Sequence, residues 1–125
     1  MPRGPRLDAP GALHHVMVRG LERRRIFETT ADRCDFLQRL EAVVTATRLT
    51  VRAWALLPNH VHLLVRTGPV PLATAMRRLL TGYAVAFNHR HKRHGHLFQN
   101  RYKSILVEEE SYGLEVTRYI HFTGR

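Results

Sequence analysis

Cysteine is almost missing from this chain. Cys34 is the only one in 125 residues, so neither an intrachain disulfide nor a cysteine-based zinc site can form. Long apolar runs are missing too. No segment approaches the about 18 consecutive apolar residues of a membrane-spanning helix. The opening stretch "MPRGPRLDAPGALHH" lacks the continuous apolar core that a secretory signal needs. A reducing, cytoplasmic setting is therefore expected, with no membrane partner. Acidic residues are scarce as well: ten Asp and Glu stand against twenty Lys and Arg, a formal charge of +10, with nine histidines besides. That imbalance says nothing about the fold, but it predicts attraction to polyanions, nucleic acid first. The apolar fraction, 44%, is that of an ordinary folded protein. A chain of 125 residues can bury one core but not two, so a single domain over residues 1–125 is expected.

Hydrophobic periodicity divides the chain into alternating elements. "MPRGPRLDAPG" reads as an irregular arm, and "ALHHVMVRG", rich in β-branched residues and closed by Gly20, reads as a first strand. From Thr30, a candidate N-cap, to about Arg48 the pattern becomes helical, with Phe36, Leu37, Leu40, Val43 and Val44 recurring at three- and four-residue steps. "TVRAWALL" and "HVHLLVRT" are two further strands on either side of a Pro58-Asn59 turn, a hairpin over 50–57 and 60–66. Leu72 to Asn88 predicts a second helix, with Met76, Leu79, Leu80, Tyr83 and Phe87 along one side. "HRHKRHGH" is a basic loop, "YKSILVE" a fourth strand, and Ser111 caps a last helix preceded by acidic "EEE". With short, right-handed connections, the order β-α-β-β-α-β-α gives an α+β fold: a ferredoxin-like or RRM-like antiparallel sheet, the split βαβ, with helices on one face.

Within the third strand, "PNHVHLLVR" places two histidines two residues apart in an apolar run. Side chains alternate along a strand, so His60, His62 and Leu64 share one face while Val61, Leu63 and Val65 share the other. Two imidazoles on Cα atoms roughly 6.6 Å apart can lean together onto one divalent ion. Taken alone, the pair also fits a turn histidine followed by a half-exposed strand histidine, because short motifs have many chance matches.

Several stretches together give the chain a family resemblance. His60-Val61-His62 within "LLPNHVHLLVRT", "PGALHHVMVRG" and "ERRRIF" near the start, "GYAVAFNHRHKRHGHLFQNRYKSILVE", and "SYGLEVTRYIH" near the end make it similar to the REP-associated tyrosine transposases. These belong to the HUH single-tyrosine transposase superfamily, IS200-like, and the likeness spans residues 2 to 122. The resemblance implies cleavage of single-stranded DNA by one tyrosine, leaving a 5′-phosphotyrosine link and a free 3′-hydroxyl. A phenol near pKa 10 is a weak nucleophile at neutral pH. A divalent cation beside the scissile phosphate orients it and neutralises its charge. A covalent link also conserves the bond energy that rejoining requires.

The family pattern assigns the nucleophile to Tyr119, on the C-terminal helix, with Tyr112 in reserve; without the family, Tyr119 also fits an amphipathic tyrosine at the edge of the core. His60 and His62 would hold Mg²⁺ or Mn²⁺, the latter tolerating imidazole better. Where the family places a polar amide one turn after the tyrosine, this chain has Thr123, a poorer ligand. His121 matches the family but would point to a different side of that helix, so the third ligand stays open between Thr123 and His121. Arg90, Lys92, Arg93, Arg101, Tyr102 and Lys103, and a second group of Arg19, Arg23, Arg24 and Arg25, are candidate DNA contacts, cations for phosphates and aromatic faces for unpaired bases. Phe87 and Phe98, in the same stretch, equally fit burial. The expected partners are single-stranded or hairpin DNA and a second copy in a homodimer, with no small-molecule substrate. Two other readings remain at this point: a non-catalytic single-strand-binding sheet of RRM type, and metal-dependent hydrolysis by an activated water.

Overall fold

The computed structural model describes residues 10–99 and 101–107, and the element order over them is the one the periodicity predicts. Strand β1 (Leu13–Arg19) leads through a 3-10 turn (Leu21–Arg23) to helix α1 (Thr30–Thr47). Strands β2 (Thr50–Leu57) and β3 (His60–Arg66) form the hairpin, followed by helix α2 (Leu72–Arg90) and strand β4 (Lys103–Val107). The four strands lie in the order β2-β3-β1-β4, all pairings antiparallel. This is the split βαβ arrangement, with β3 and β1 in the centre.

Both helices cover one face of the sheet. Val16 and Val18 of β1, with Val61, Leu63 and Val65 of β3, are almost fully buried there against Phe36, Leu40, Met76, Leu79, Tyr83 and Phe87. The alternation that buries Val61, Leu63 and Val65 necessarily turns His60, His62 and Leu64 to the distal face. Their register neighbours on that face are Arg19, Met17 and His15 of β1, opposite His60, His62 and Leu64 in turn. Phe87 is in the core, and Phe98 packs partly buried at its edge.

Two helix boundaries differ from the sequence expectation. The N-cap of α1 is Thr29, not Thr30, because Asp32 completes a capping box with it: Thr29 Oγ1 accepts from the Asp32 amide at 3.1 Å, and Asp32 Oδ2 accepts from the Thr29 amide at 3.1 Å. Helix α2 runs two residues beyond Asn88, to Arg90. Arg90 stays helical while reaching across to α1, where its Nε donates to Asp32 Oδ1 at 2.7 Å and its Nη1 lies 3.4 Å from Asp35 Oδ2.

Candidate functional site

The distal face of β1 and β3 carries three imidazoles in contact. His15 Nε2 lies 3.1 Å from His62 Nδ1, with the two rings stacked at 5.2 Å between centroids. His60 and His62 meet edge to face at 5.0 Å. Asn59, at the hairpin turn, places Oδ1 2.8 Å from His60 Nδ1. A carbonyl oxygen can only accept, so His60 carries its proton on Nδ1 and its lone pair on Nε2.

The surroundings keep these rings neutral. Burial lowers the pKa of His15. Burial, followed by the Arg19 charge, lowers that of His60. His62, only 4% exposed, is lowered to about 4 by burial first and then by His15, His60 and Arg19. Neutral imidazole is the form that binds a metal. The pair therefore fits a divalent ion in donor chemistry, in sharing a face, and in the hydrogen bond by which Asn59 holds the other ring nitrogen of His60. Among the described residues no group of three or more His, Cys, Asp or Glu could hold a metal ion.

Beside the histidines, Met17, Arg19, Gln99, Arg101 and Lys103 line a recess of about 100 Å³. Three cations converge there, Arg19 from the end of β1 and Arg101 and Lys103 from the stretch that enters β4. The strand register accounts for two of them, since Met17 pairs with both His62 and Lys103. Backbone hydrogen bonds account for Arg101: Gln99 N donates to Arg19 O at 2.9 Å and Leu21 N donates to Leu97 O at 2.9 Å, stitching the turn after β1 to the segment before β4. The turn itself is tight. A Cβ on Gly20 would lie 2.1 Å from the Arg24 carbonyl oxygen, so only glycine fits there. Arg23, Arg24 and Arg25 are exposed on this turn. Arg24 lies near enough to Arg93 that its charge, after desolvation, lowers the Arg93 pKa.

The structure thus brings His60, His62, Arg19, Arg101 and Lys103 together, with Arg23, Arg24 and Arg25 on the adjoining turn. It separates Arg90, whose guanidinium is taken up by Asp32 and Asp35 at the joint between the helices. Arg93 bonds within its own loop, to Asn88 Oδ1 at 2.6 Å and the His96 carbonyl at 3.3 Å. Lys92 is exposed at the end of α2. Tyr102 is half-buried against the core with the Arg101 guanidinium 5.8 Å from its ring centroid. It also lines a groove of about 620 Å³ that Met76, Arg77, Leu80 and Phe98 border on the α2 side. Tyr83 is fully buried, donates to the Ile26 carbonyl, and has its pKa raised by burial, which makes it a core residue rather than a nucleophile. The expected helix after Ser111, with Tyr112, Tyr119, His121 and Thr123, lies outside the described residues.

His15, Asn59 and Gln99 also contribute to this region, and no sequence motif marks them. The alternation in "LHHVMVR" does put His15, Met17 and Arg19 on one face. What periodicity alone does not state is that β1 lies beside β3.

Residues 10–123 match the protein family described as transposase, IS200-like. The chain belongs to the IS200-like transposase family. A transposase acts on DNA, and the formal charge of +10 suits a polyanionic partner. Two solved structures share its fold. One is a REP-associated tyrosine transposase bound to a REP hairpin, 17% identical, aligned over 98% of this chain and 72% of its own length with a TM-score of 0.76. The other, from Deinococcus radiodurans and described as a transposase, is 17% identical over 97% of this chain and 95% of its own, with a TM-score of 0.63. No curated protein matches the chain. For this IS200-like transposase, the identities to both solved structures are low enough that they establish the fold and nothing finer.

Proposed function

We propose that this transposase binds single-stranded or hairpin DNA and cuts and rejoins it through Tyr119. In the forward step the Tyr119 phenolic oxygen forms a bond to phosphorus and the bond to the 3′-oxygen breaks. The phenolic proton is, in net terms, passed to that oxygen, leaving a 5′-phosphotyrosine and a 3′-hydroxyl. Rejoining is the same step reversed. One observation carries the reading: a neutral imidazole pair and a three-cation recess sit side by side on one rigid sheet face. The cations draw the phosphodiester in. His60 and His62 would hold a divalent ion at its edge. Such an ion, when bound, offsets charge developing on the phosphate oxygens and leaving group. The hairpin bound by the fold neighbour supports a similar substrate here.

The test is incubation with single-stranded hairpin DNA and Mn²⁺, followed by a denaturing gel. A covalent protein–DNA band that Tyr119→Phe abolishes, with DNA binding retained, is the expected result. Binding without any band would leave a single-strand-binding sheet. Cleavage that survives Tyr119→Phe would point to hydrolysis by water.

A further inference from the structure

We infer that His15 is a positioning residue for His62: it accepts a hydrogen bond from His62 Nδ1 and so keeps the Nε2 lone pair of His62 directed to a divalent ion. The inference rests on the reading of His60 and His62 as ligands. His15 comes from β1, a different strand, and reaches His62 on the diagonal, since its own register partner is Leu64. Its Nε2 stands 3.1 Å from His62 Nδ1, within hydrogen-bond range, and its ring is inclined only 26° to that of His62.

Two neutral imidazoles in such a contact share one proton, which leaves two arrangements. If His15 donates, His62 must carry its own proton on Nε2, and that nitrogen has no lone pair to offer. If His62 donates, its Nε2 keeps the lone pair. At His60 the choice is made by Asn59, whose Oδ1 can only accept. The second arrangement at His62 gives both rings the same tautomer, each with Nδ1–H in a hydrogen bond and Nε2 as the donor atom. Metal-bound histidines commonly have this outer-shell partner on the other ring nitrogen. The hydrogen bond also holds the ring plane: the edge-to-face angle of 80° between His60 and His62 depends on neither ring turning about χ2.

The experiment compares the native chain with His15→Phe and His15→Gln. Glutamine keeps an acceptor oxygen on a flexible stem, and phenylalanine keeps ring bulk without one. Long-range proton–nitrogen correlation spectra report the His62 tautomer at about pH 8, where an unperturbed imidazole is neutral. No metal or DNA is present, so this readout does not depend on cleavage. Mn²⁺ binding is then followed by the paramagnetic resonance of the free ion. The native chain is expected to show the Nδ1–H form of His62. His15→Phe is expected to shift His62 toward the Nε2–H form and weaken Mn²⁺ binding by about ten- to a hundred-fold, and His15→Gln to restore much of both.

A native chain with His62 in the Nε2–H form overturns the inference without any variant, so a misfolded His15→Phe cannot shelter it. An unchanged tautomer in folded His15→Phe overturns it too, as does a His15→Gln no better than phenylalanine. Failure of the DNA-cleavage assay alone leaves these spectra to decide. A native chain that binds no Mn²⁺ overturns both this inference and the ligand reading beneath it.

Discussion

His62 shows how one residue can carry opposed demands. It is almost fully buried on a sheet face it shares with His15, His60 and Arg19, so its charged form is disfavoured and its pKa falls from 6.5 to about 4. In the unfolded chain it would take up a proton below about pH 6.5, whereas in the folded chain it resists until about 4. The unfolded state binds more protons across that window, so stability falls as pH falls through it. At pH 5 the loss from His62 alone is expected to be about 2 kcal/mol. His15, His60 and the buried His14, all lowered by burial, act in the same direction. Thermal unfolding at pH 7.5 and pH 5 in one buffer system should show the drop, and His62→Phe should reduce it. A second expectation concerns the pair directly. His60→Ala and His62→Ala should each abolish Mn²⁺-dependent covalent adducts while leaving hairpin binding within a few-fold, as a gel-shift titration would show.

Beyond their shared apolar core, the two helices are joined by one buried carboxylate. Asp32 is fully buried. Burial by itself would raise its pKa, but hydrogen bonds from the Glu28 backbone, His91, Arg90 and the Thr29 backbone more than offset that, and the pKa lies below its ordinary value. Asp32 caps α1, pairs with Arg90 at 2.7 Å, and meets His91 Nε2 at 2.9 Å, so the start of α1 and the end of α2 close on a single group. Asp32→Ala would remove the capping box and leave Arg90 without its shorter partner. Its cost is expected to be about 3 kcal/mol in urea unfolding, with hairpin binding unchanged in a gel shift at temperatures where the variant stays folded. This joint also shows why Arg90 could be misread. In sequence it belongs to a run of cations, and only the packing of α2 on α1 reveals that its charge is already matched.

Across the molecule, the excess charge of +10 is distributed with a purpose that burial exposes. Arg90 is paired between the helices, while Arg19, Arg101 and Lys103 line the recess beside the histidines. Replacing these three with alanine should weaken single-stranded DNA binding. It should also make the slope of log K against log salt shallower by about 2, since each phosphate contact on a single strand contributes about 0.7. The same substitutions at Arg77, Arg78 and Arg52, none of which lines that recess, should change the slope little. Fluorescence anisotropy over a salt series would separate the two sets.

Periodicity alone determined the element order and, through alternation, that His60 and His62 share a face opposite Val61, Leu63 and Val65. Local patterns of this kind are legible because the side-chain direction of a strand repeats every two residues and that of a helix every 3.6. The +10 charge likewise pointed to a polyanion before any fold was known. Which strand lies beside which, and hence that His15 meets His62 and that Lys103 and Arg101 join Arg19, was decided only by tertiary structure. Those contacts join residues 47 and more positions apart in the chain. They arise because burying the valine faces beneath two helices leaves β1 and β3 one workable register.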